Sequence, residues 1–332
     1  MQQKGHQFLL TARDKEITFE LLNQYKIPFH NRGTGKNSLL GKLFYILKAD
    51  RFILQKARSF KPDLFLSFAS TYAAHVSKLV GKPHIALDDT EHAKLELLMY
   101  PPFTDTILTP ACFHKNLGKK QIRFNSFMEL CYLHPAHFSP DPEVLKLLNV
   151  KENEKYAIVR FVSWNASHDV GTQGLSNDQK IKLVGFLSRK LKVFVSSEGE
   201  MPAALEKYKF TIPTHYMHDA LYYASIYVGE GGTTASEAAL LGTPAVYINK
   251  LSMGYINEEK KAALLFQTTK YEEIETHIGN ILKQNKSLFT QRLANLLSKQ
   301  INITNFLVWF VENYPSSISQ LKTNPNVQQQ FI

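Results

Sequence analysis

Cysteine is almost absent from this chain. Cys112 and Cys131 are the two in 332 residues, and they stand 19 positions apart with no Cys-x-x-Cys spacing. A disulfide framework is excluded, and a reducing cytoplasm is the expected setting. Long apolar runs are missing too. The greasiest patch, Phe306 to Val311, falls far short of the ~18 residues a membrane-spanning helix needs. The amino end opens on polar Gln2, Gln3 and Lys4 with no apolar stretch behind it, so no secretory leader is expected. His, Cys and carboxylate spacings give no zinc pattern. No internal repeat is present.

Acidic residues are outnumbered, 29 against 39 Lys and Arg, for a net charge of +10. That balance favours anionic partners: nucleotide phosphates, nucleic acid or an acidic membrane surface. No nucleic-acid-binding module accompanies it, so nucleic acid is set aside. Lys48, Arg51, Lys56, Arg58 and Lys61 cluster on an expected amphipathic helix. A solvated face is the plain reading there, and peripheral contact with an anionic membrane the sharper one.

With 44% hydrophobic and 20% charged residues, the composition is that of a globular protein long enough for two domains. Strand-like runs alternate with helical patterns, which predicts parallel sheets joined by helical crossovers. The first half gives strands at 7–11, 64–68, 84–87, 106–108 and 121–124, with helices at 15–25, 39–59 and 73–80. A proline-dense stretch, 134–142, reads as a linker. The second half gives strands at 156–162, 192–196, 209–212, 226–228, 245–248 and 264–267. Its helices are expected at 177–189, 218–224, 234–241, 272–283 and 288–300. The expected divisions are a first domain 1–133, a second 143–303, a return helix 304–314 and a frayed polar tail 315–332.

The run from Tyr227 to Pro244 carries the most chemistry. A short apolar strand ends in Gly229-Glu230-Gly231-Gly232, and a small-residue helix begins at Thr233 or Thr234. It closes at Gly242-Thr243-Pro244, directly before another strand. Glycines permit close backbone approach, and the N–H groups of a helix's first turn favour an anion. Glu237, about one turn in, places a carboxylate near a sugar hydroxyl beside a bound phosphate. The plainer reading is a tight turn with an N-cap.

Ligands of doubly wound sheets sit beyond the carboxyl ends of the strands. That rule collects Arg160, Ser163, Trp164, Asn165 and His168, then Ser197, Glu198 and Gly199, then Gly231, Gly232 and Thr233. In the first half it collects Ser67, Ser70, Thr71 and Tyr72, then Asp88, Asp89, Glu91 and His92, with Asn125 and Glu129 before the linker. Neighbouring carboxylates raise one another's pKa, which prepares a general acid or base near neutral pH. The plain alternative makes Asp89 a helix cap and His92 a surface residue. Gly33-Thr34-Gly35-Lys36-Asn37 has neither the earlier glycine nor the following Ser or Thr of a P-loop.

The 227–244 run resembles the donor-binding motif of the GT-B superfamily, in particular non-hydrolysing UDP-N-acetylglucosamine 2-epimerase and the lipid-II-forming N-acetylglucosaminyltransferase. Over residues 6–314 the chain resembles the prokaryotic domain of unknown function 354 family, through stretches 10–16, 84–94, 160–169, 196–200 and 218–224. The resemblance implies two Rossmann-like, doubly wound parallel-sheet domains facing a cleft, with the second binding a UDP-sugar and the first an acceptor hydroxyl. It implies that Glu237 matches a ribose-binding glutamate and that 212–218, including Met217 and His218, lies where the uracil is held. Asp88 matches an acidic residue of the epimerase cleft. A GT-B first domain normally begins on a central strand, whereas Met1 to His6 reads as a helix end, so that strand is expected to be missing.

Three functions are weighed. The first is a glycosyltransferase using a UDP-N-acetylhexosamine-type donor, in which Asp88 or Glu91 deprotonates the acceptor while Arg160 and the Gly231–Thr233 amides stabilise leaving UDP. The second is a UDP-sugar 2-epimerase using Asp88, Glu91 and His168. The third is a non-catalytic nucleotide-sugar binder. No cofactor is expected beyond the nucleotide sugar as substrate. No metal is expected either, since the adjacent Asp88 and Asp89 lack Asp-x-Asp spacing and the helix dipole at Thr233 stabilises a departing diphosphate.

Overall fold

The apolar runs do form parallel strands. A computed structural model describes residues 1–15, 17–35, 39–151, 153–163 and 174–332. Its chain divides into two units, Met1–Phe124 with Leu307–Val327, and Asn125–Phe306 with Gln328–Ile332.

In the first unit the strands are β1 (Thr11–Ala12), β2 (His30–Asn31), β3 (Phe65–Phe68), β4 (His84–Leu87), β5 (Thr106–Pro110) and β6 (Gln121–Phe124). Its helices are α1 (Thr18–Gln24), α2 (Leu39–Phe60), α3 (Thr71–Val80) and the short α4 (Glu96–Met99). β3 to β6 pair in sequence order, all parallel. β1 pairs with β2 in a separate two-stranded sheet. The strand expected at 7–11 therefore shrinks to two residues, because its ladder starts only where the His30 amide donates to the Leu10 carbonyl.

β3 is an outer strand. One of its faces packs Phe65 against Ile53, Ala57 and Val76, while Leu66 and Phe68 on the other are 44% and 50% exposed. Phe8, just before β1, is 54% exposed. α3 is set by its caps: Ser70 accepts from the Ala73 amide, and Gly81 closes the helix in the left-handed region at φ +66°.

The second unit holds α5 (Leu130–Leu133), α6 (Glu143–Leu147), β7 (Tyr156–Phe161), α7 (Asn177–Ser188), β8 (Lys192–Ser197), α8 (Met217–Tyr223), β9 (Ile226–Gly229) and α9 (Gly232–Leu240). It continues through β10 (Ala245–Ile248), α10 (Gly254–Lys261), β11 (Leu265–Thr268), α11 (Tyr271–Leu282) and α12 (Lys286–Leu297). Five parallel strands lie in the order β11-β10-β9-β7-β8. β9 and β10 are buried at every position, as strands covered on both faces must be. The chain steps from β7 outward to β8, then returns to β9 on the other side of β7. Between β7 and β9 the strand order therefore reverses, the place where such sheets bind ligands.

Three expectations are corrected, and one helix is added. Segment 209–212 is not a strand: it makes a single parallel bridge, Lys209 to Val195, and one further bond from the Phe210 amide to the Val195 carbonyl. Pro213 then ends the pairing, having no N–H to offer. The proline stretch 134–142 lies inside the second unit, where the Asp141 amide donates to Asp219 on α8 at 2.7 Å. α10 was not foreseen, because its lysines and glutamates conceal a buried face of Tyr255, Ile256 and Glu259. The tail carries α14 (Ser316–Thr323), which follows α13 (Ile303–Glu312). Buried Leu321 and Ser317, the latter donating to the Phe310 carbonyl at 2.8 Å, hold it.

Candidate functional site

At the reversal point, the carboxyl ends of β7 and β9 are paired, Arg160 opposite Gly229. The chain leaves β9 through Glu230 and Gly231 and enters α9. Gly231 is the N-cap, and no side chain caps this helix. Among the described residues no side chain fills the amides of its first turn, and the positive end of the helix dipole is available there. Thr233 is exposed, while Gly231, Gly232 and Thr234 are half-buried.

The glycines here serve packing. A Cβ on Gly229 would collide with the Tyr227 hydroxyl and lie 2.8 Å from the Arg160 carbonyl oxygen. One on Gly232 would meet Met253 Cε at 2.9 Å and the Tyr247 hydroxyl at 3.2 Å. Gly231 alone of the three has only a 3.4 Å contact, with Val162. Two large tyrosines on β9 and β10 therefore dictate two of the glycines, and the helix mouth follows from that.

Glu230 was passed over in the sequence, yet it organises the floor of the site. It is 1% exposed. One carboxylate oxygen accepts from the Val162 amide at 3.0 Å and the other from the Leu175 amide at 2.7 Å. It thus fixes both flanks of the segment that follows β7. Trp164, Asn165 and His168, expected in this loop, lie outside the described residues. A glutamate between glycines gives no sign that it is buried, so nothing in the sequence marked it.

Glu237 sits one turn into α9, with its side chain 11% exposed. Its Oε1 accepts from the Tyr132 hydroxyl at 2.9 Å and is 3.0 Å from His218 Nε2. The Tyr132 and His218 rings lie 5.3 Å apart at 31°, and Phe138 meets His218 edge-on at 6.4 Å. Both contacts fall on one carboxylate oxygen, so the carboxylate is oriented without being used up. Tyr132 was not singled out from the sequence, because it comes from α5, far from α9 in the chain. Met217 is half-buried at the start of α8, next to His218.

Arg160 and Glu198 come together as an ion pair at 2.8 Å. Arg160 also donates to Ser196 at 3.1 Å, and the Ser163 amide donates to Glu198 at 3.3 Å. The guanidinium is therefore largely compensated, and the helix mouth is the less compensated positive element. Ser196 and Ser197 also border a cavity of about 620 Å³, lined further by Glu200, Met201, Lys209 and Phe210. That volume lies within the ~300–1,000 Å³ of small-molecule sites.

In the first unit, the cluster after β4 is bonded internally. Asp88 is 1% exposed; it accepts from the Tyr100 hydroxyl at 2.6 Å and the Thr90 amide at 2.9 Å. Burial raises its pKa against those two bonds. Asp89 accepts from the Thr90 hydroxyl at 2.9 Å. Burial, with Asp88 and Glu91 adding repulsion, pushes its pKa up to about 6. Glu91 accepts from the His114 amide at 3.1 Å, and His92 is half-buried. Ser70 is occupied as the α3 cap. Glu129 is buried in the second unit, and the Asn125 amide donates to Gln328 there. Among the described residues, no three His, Cys, Asp or Glu side chains are placed to hold a metal ion.

Residues 1–302 match the family described as "Protein of unknown function (DUF354)", and the chain belongs to it. The uncharacterised protein MJ0665 of Methanocaldococcus jannaschii is 24% identical over 255 residues, 74% of each chain. Among solved structures, UDP-GlcNAc 2-epimerase of the same organism, in complex with UDP-GlcNAc and UDP, is similar with a TM-score of 0.59 at 12% identity, covering 83% of this chain and 86% of that one. MurG of Acinetobacter baumannii is similar with a TM-score of 0.55 at 16% identity, covering 94% and 92%. At such identities the likeness shows the fold, which is GT-B.

Proposed function

We propose that this member of the family binds a UDP-sugar on its second unit and is a metal-independent glycosyltransferase using a UDP-N-acetylhexosamine-type donor in glycoconjugate or polysaccharide synthesis. One observation carries the reading: an uncapped helix N-terminus at the reversal of strand order, with an oriented carboxylate one turn inside it. The similarity to an epimerase solved with UDP-GlcNAc and UDP supports it.

The diphosphate lies at the amides of Gly231, Gly232, Thr233 and Thr234. The ribose hydroxyls meet Glu237 through the oxygen that Tyr132 and His218 leave open. The uracil lies along 212–218. In transfer, the acceptor hydroxyl loses its proton to a carboxylate as its oxygen bonds to C1 of the sugar. The C1–O bond to phosphate breaks, UDP leaves with the electron pair, and the α9 dipole meets the growing charge. Asp89 suits the base better than Asp88: burial and the neighbouring carboxylates raise its pKa to about 6, whereas both Asp88 oxygens are already bonded. The setting is cytoplasmic, the acceptor bears a hydroxyl, and nucleic acid is not a partner. α2 exposes Phe44 and Leu47 beside Lys48 and Arg51, which supports peripheral contact with an anionic membrane.

The 2-epimerase remains the second reading, favoured by the same solved structures. Thermal-shift screening against nucleotide sugars tests the seat: a saturating UDP-sugar at 100 times Kd adds about 2.7 kcal/mol of stability. No shift with any UDP-sugar sinks it. Incubation with UDP-GlcNAc in deuterated water separates the chemistries, since deuterium at C2 without an acceptor means epimerisation. Binding with neither deuterium exchange nor transfer leaves the non-catalytic binder.

A further inference from the structure

We infer that Arg13, Arg32 and Tyr45 form a receptor for a phosphate-type dianion on the first unit. The inference does not rest on the nucleotide-sugar reading, which concerns residues of the second unit.

Arg13 and Arg32 directly follow the paired parallel strands β1 and β2, so both stand at the carboxyl ends of a ladder. The Arg13 guanidinium lies over the Tyr45 ring at 5.6 Å and that of Arg32 over the Tyr72 ring at 5.2 Å. The two tyrosines meet edge-to-face at 5.7 Å, which holds the two like charges as neighbours. The backbone of Gly35 closes on Arg13: a Cβ there would lie 2.5 Å from its Cζ.

What the arrangement lacks is an acceptor. Arg13 Nε and Arg32 Nε and Nη1 are buried with no hydrogen-bond partner among the described residues. The Tyr45 hydroxyl is in the same condition on a side chain only 6% exposed. Asp50, on the neighbouring turn of α2, meets His75 through one oxygen at 2.9 Å, and its other oxygen, Oδ1, is buried without bonding either guanidinium. Burial, with the repulsion from Arg13, lowers the pKa of Arg32 against the pull of both tyrosines.

Stacking on aromatic rings satisfies the faces of a guanidinium and leaves its N–H edge unbonded. A buried, charged donor without an acceptor is costly. A guanidinium edge fits an oxyanion with paired hydrogen bonds, and two such edges with a hydroxyl suit a dianion better than a carboxylate. A phosphate monoester carries roughly −1.5 to −2 at neutral pH and offers three acceptor oxygens.

The phosphate belongs either to a second small molecule or to a nucleotide diphosphate, and both sources are separable. The full chain in an anion-poor buffer is titrated with inorganic phosphate, pyrophosphate, acetate and UDP, reading melting temperature and heats of binding. Phosphate and pyrophosphate are expected to raise the melting temperature saturably, with acetate at equal ionic strength far weaker. Arg13→Gln and Arg32→Gln are expected to weaken phosphate binding at least tenfold. Arg32→Lys, which keeps the charge and loses the planar fork, guards against misfolding and is expected to fall between. Glu237→Gln is expected to leave the phosphate response intact. Loss of UDP binding together with phosphate binding in Arg32→Gln assigns the site to the nucleotide; loss of phosphate binding alone assigns it to a second ligand. A wild-type response to phosphate no greater than to acetate, or unchanged binding in both Gln variants and in Arg32→Lys, overturns the proposal.

Discussion

The strand ends of the two units solve the same problem with different materials. Those of the second unit present backbone: the open first turn of α9, a floor fixed by the amides that Glu230 receives, and a carboxylate oriented by Tyr132 and His218. Those of the first present ionisable side chains, and the carboxylates after β4 are already bonded to hydroxyls and amides of their own unit. Asp88 answers Tyr100, Asp89 the Thr90 hydroxyl, and Glu91 the His114 amide. The lesson is that a crowded set of titratable residues after a strand is not by itself an open site. Small residues, which show nothing of themselves in a list of chemical groups, can leave more room for one.

The sharpest way to break that comparison is to fill the backbone side of it. Gly229→Ala is expected to destabilise the fold by about 3 kcal/mol, because Tyr227 and the Arg160 carbonyl occupy the space. Gly231→Ala, with only Val162 nearby, is expected to cost under about 1 kcal/mol. Urea midpoints of the two variants test the difference, and equal costs remove the packing account of the glycines.

pH separates the units next. Glu259, on α10, is fully buried and accepts from Ser236 on α9. Burial pushes its pKa up to about 8. A folded pKa raised above the unfolded value means that its stability contribution is complete below about 4.5 and is lost as pH rises through about 8. Glu259→Gln is expected to remove that slope and gain on the order of a few kcal/mol near pH 9. His84 runs the other way. Burial lowers it to about 4, so its contribution is present above the ordinary value of 6.5 and lost as pH falls toward 4. Hydrogen exchange is therefore expected to show β4 around His84 loosening on the acid side and α10 around Glu259 on the alkaline side. A common response of both units in both directions would contradict the assignment.

Binding sharpens the comparison further. Glu237→Gln is expected to weaken UDP binding by about 1.5–3 kcal/mol, the worth of a hydrogen bond to a charged group. Asp88→Asn is expected to leave UDP binding unchanged, as measured by calorimetry. The smallest expected effect is that of Tyr132→Phe, about 1 kcal/mol in UDP affinity through a less well oriented Glu237. If Asp88→Asn abolished UDP binding and Glu237→Gln did not, the assignment of nucleotide to the second unit would fall.

Much of this was legible in the chain itself. Apolar runs of four residues between helical patterns marked β4 and β10 to the residue, because buried strands have little polar alternation to confuse them, and the strict alternation of Gln121, Ile122, Arg123 and Phe124 marked β6. The turn into α9 and its exit at Gly242, φ +79°, were equally plain, since only glycine reaches the left-handed region without strain. Segment 209–212 misled because a β-like composition describes the residues and says nothing of a partner strand. α10 misled for the opposite reason, its apolar face being short and interrupted.

By itself, then, the order of residues determined the parallel α/β architecture, the family and the helix mouth on the second unit. These depend on local periodicity and on backbone conformations that few residue types tolerate. Only the tertiary structure decided that Glu230 is a buried brace, that Tyr132 reaches Glu237, and that Arg13 and Arg32 lie over neighbouring tyrosines with buried nitrogens unbonded among the described residues. Burial and partnership are properties of segments brought together from far apart, and the charge or hydroxyl of a single residue is the same letter whether it is satisfied, spent or waiting.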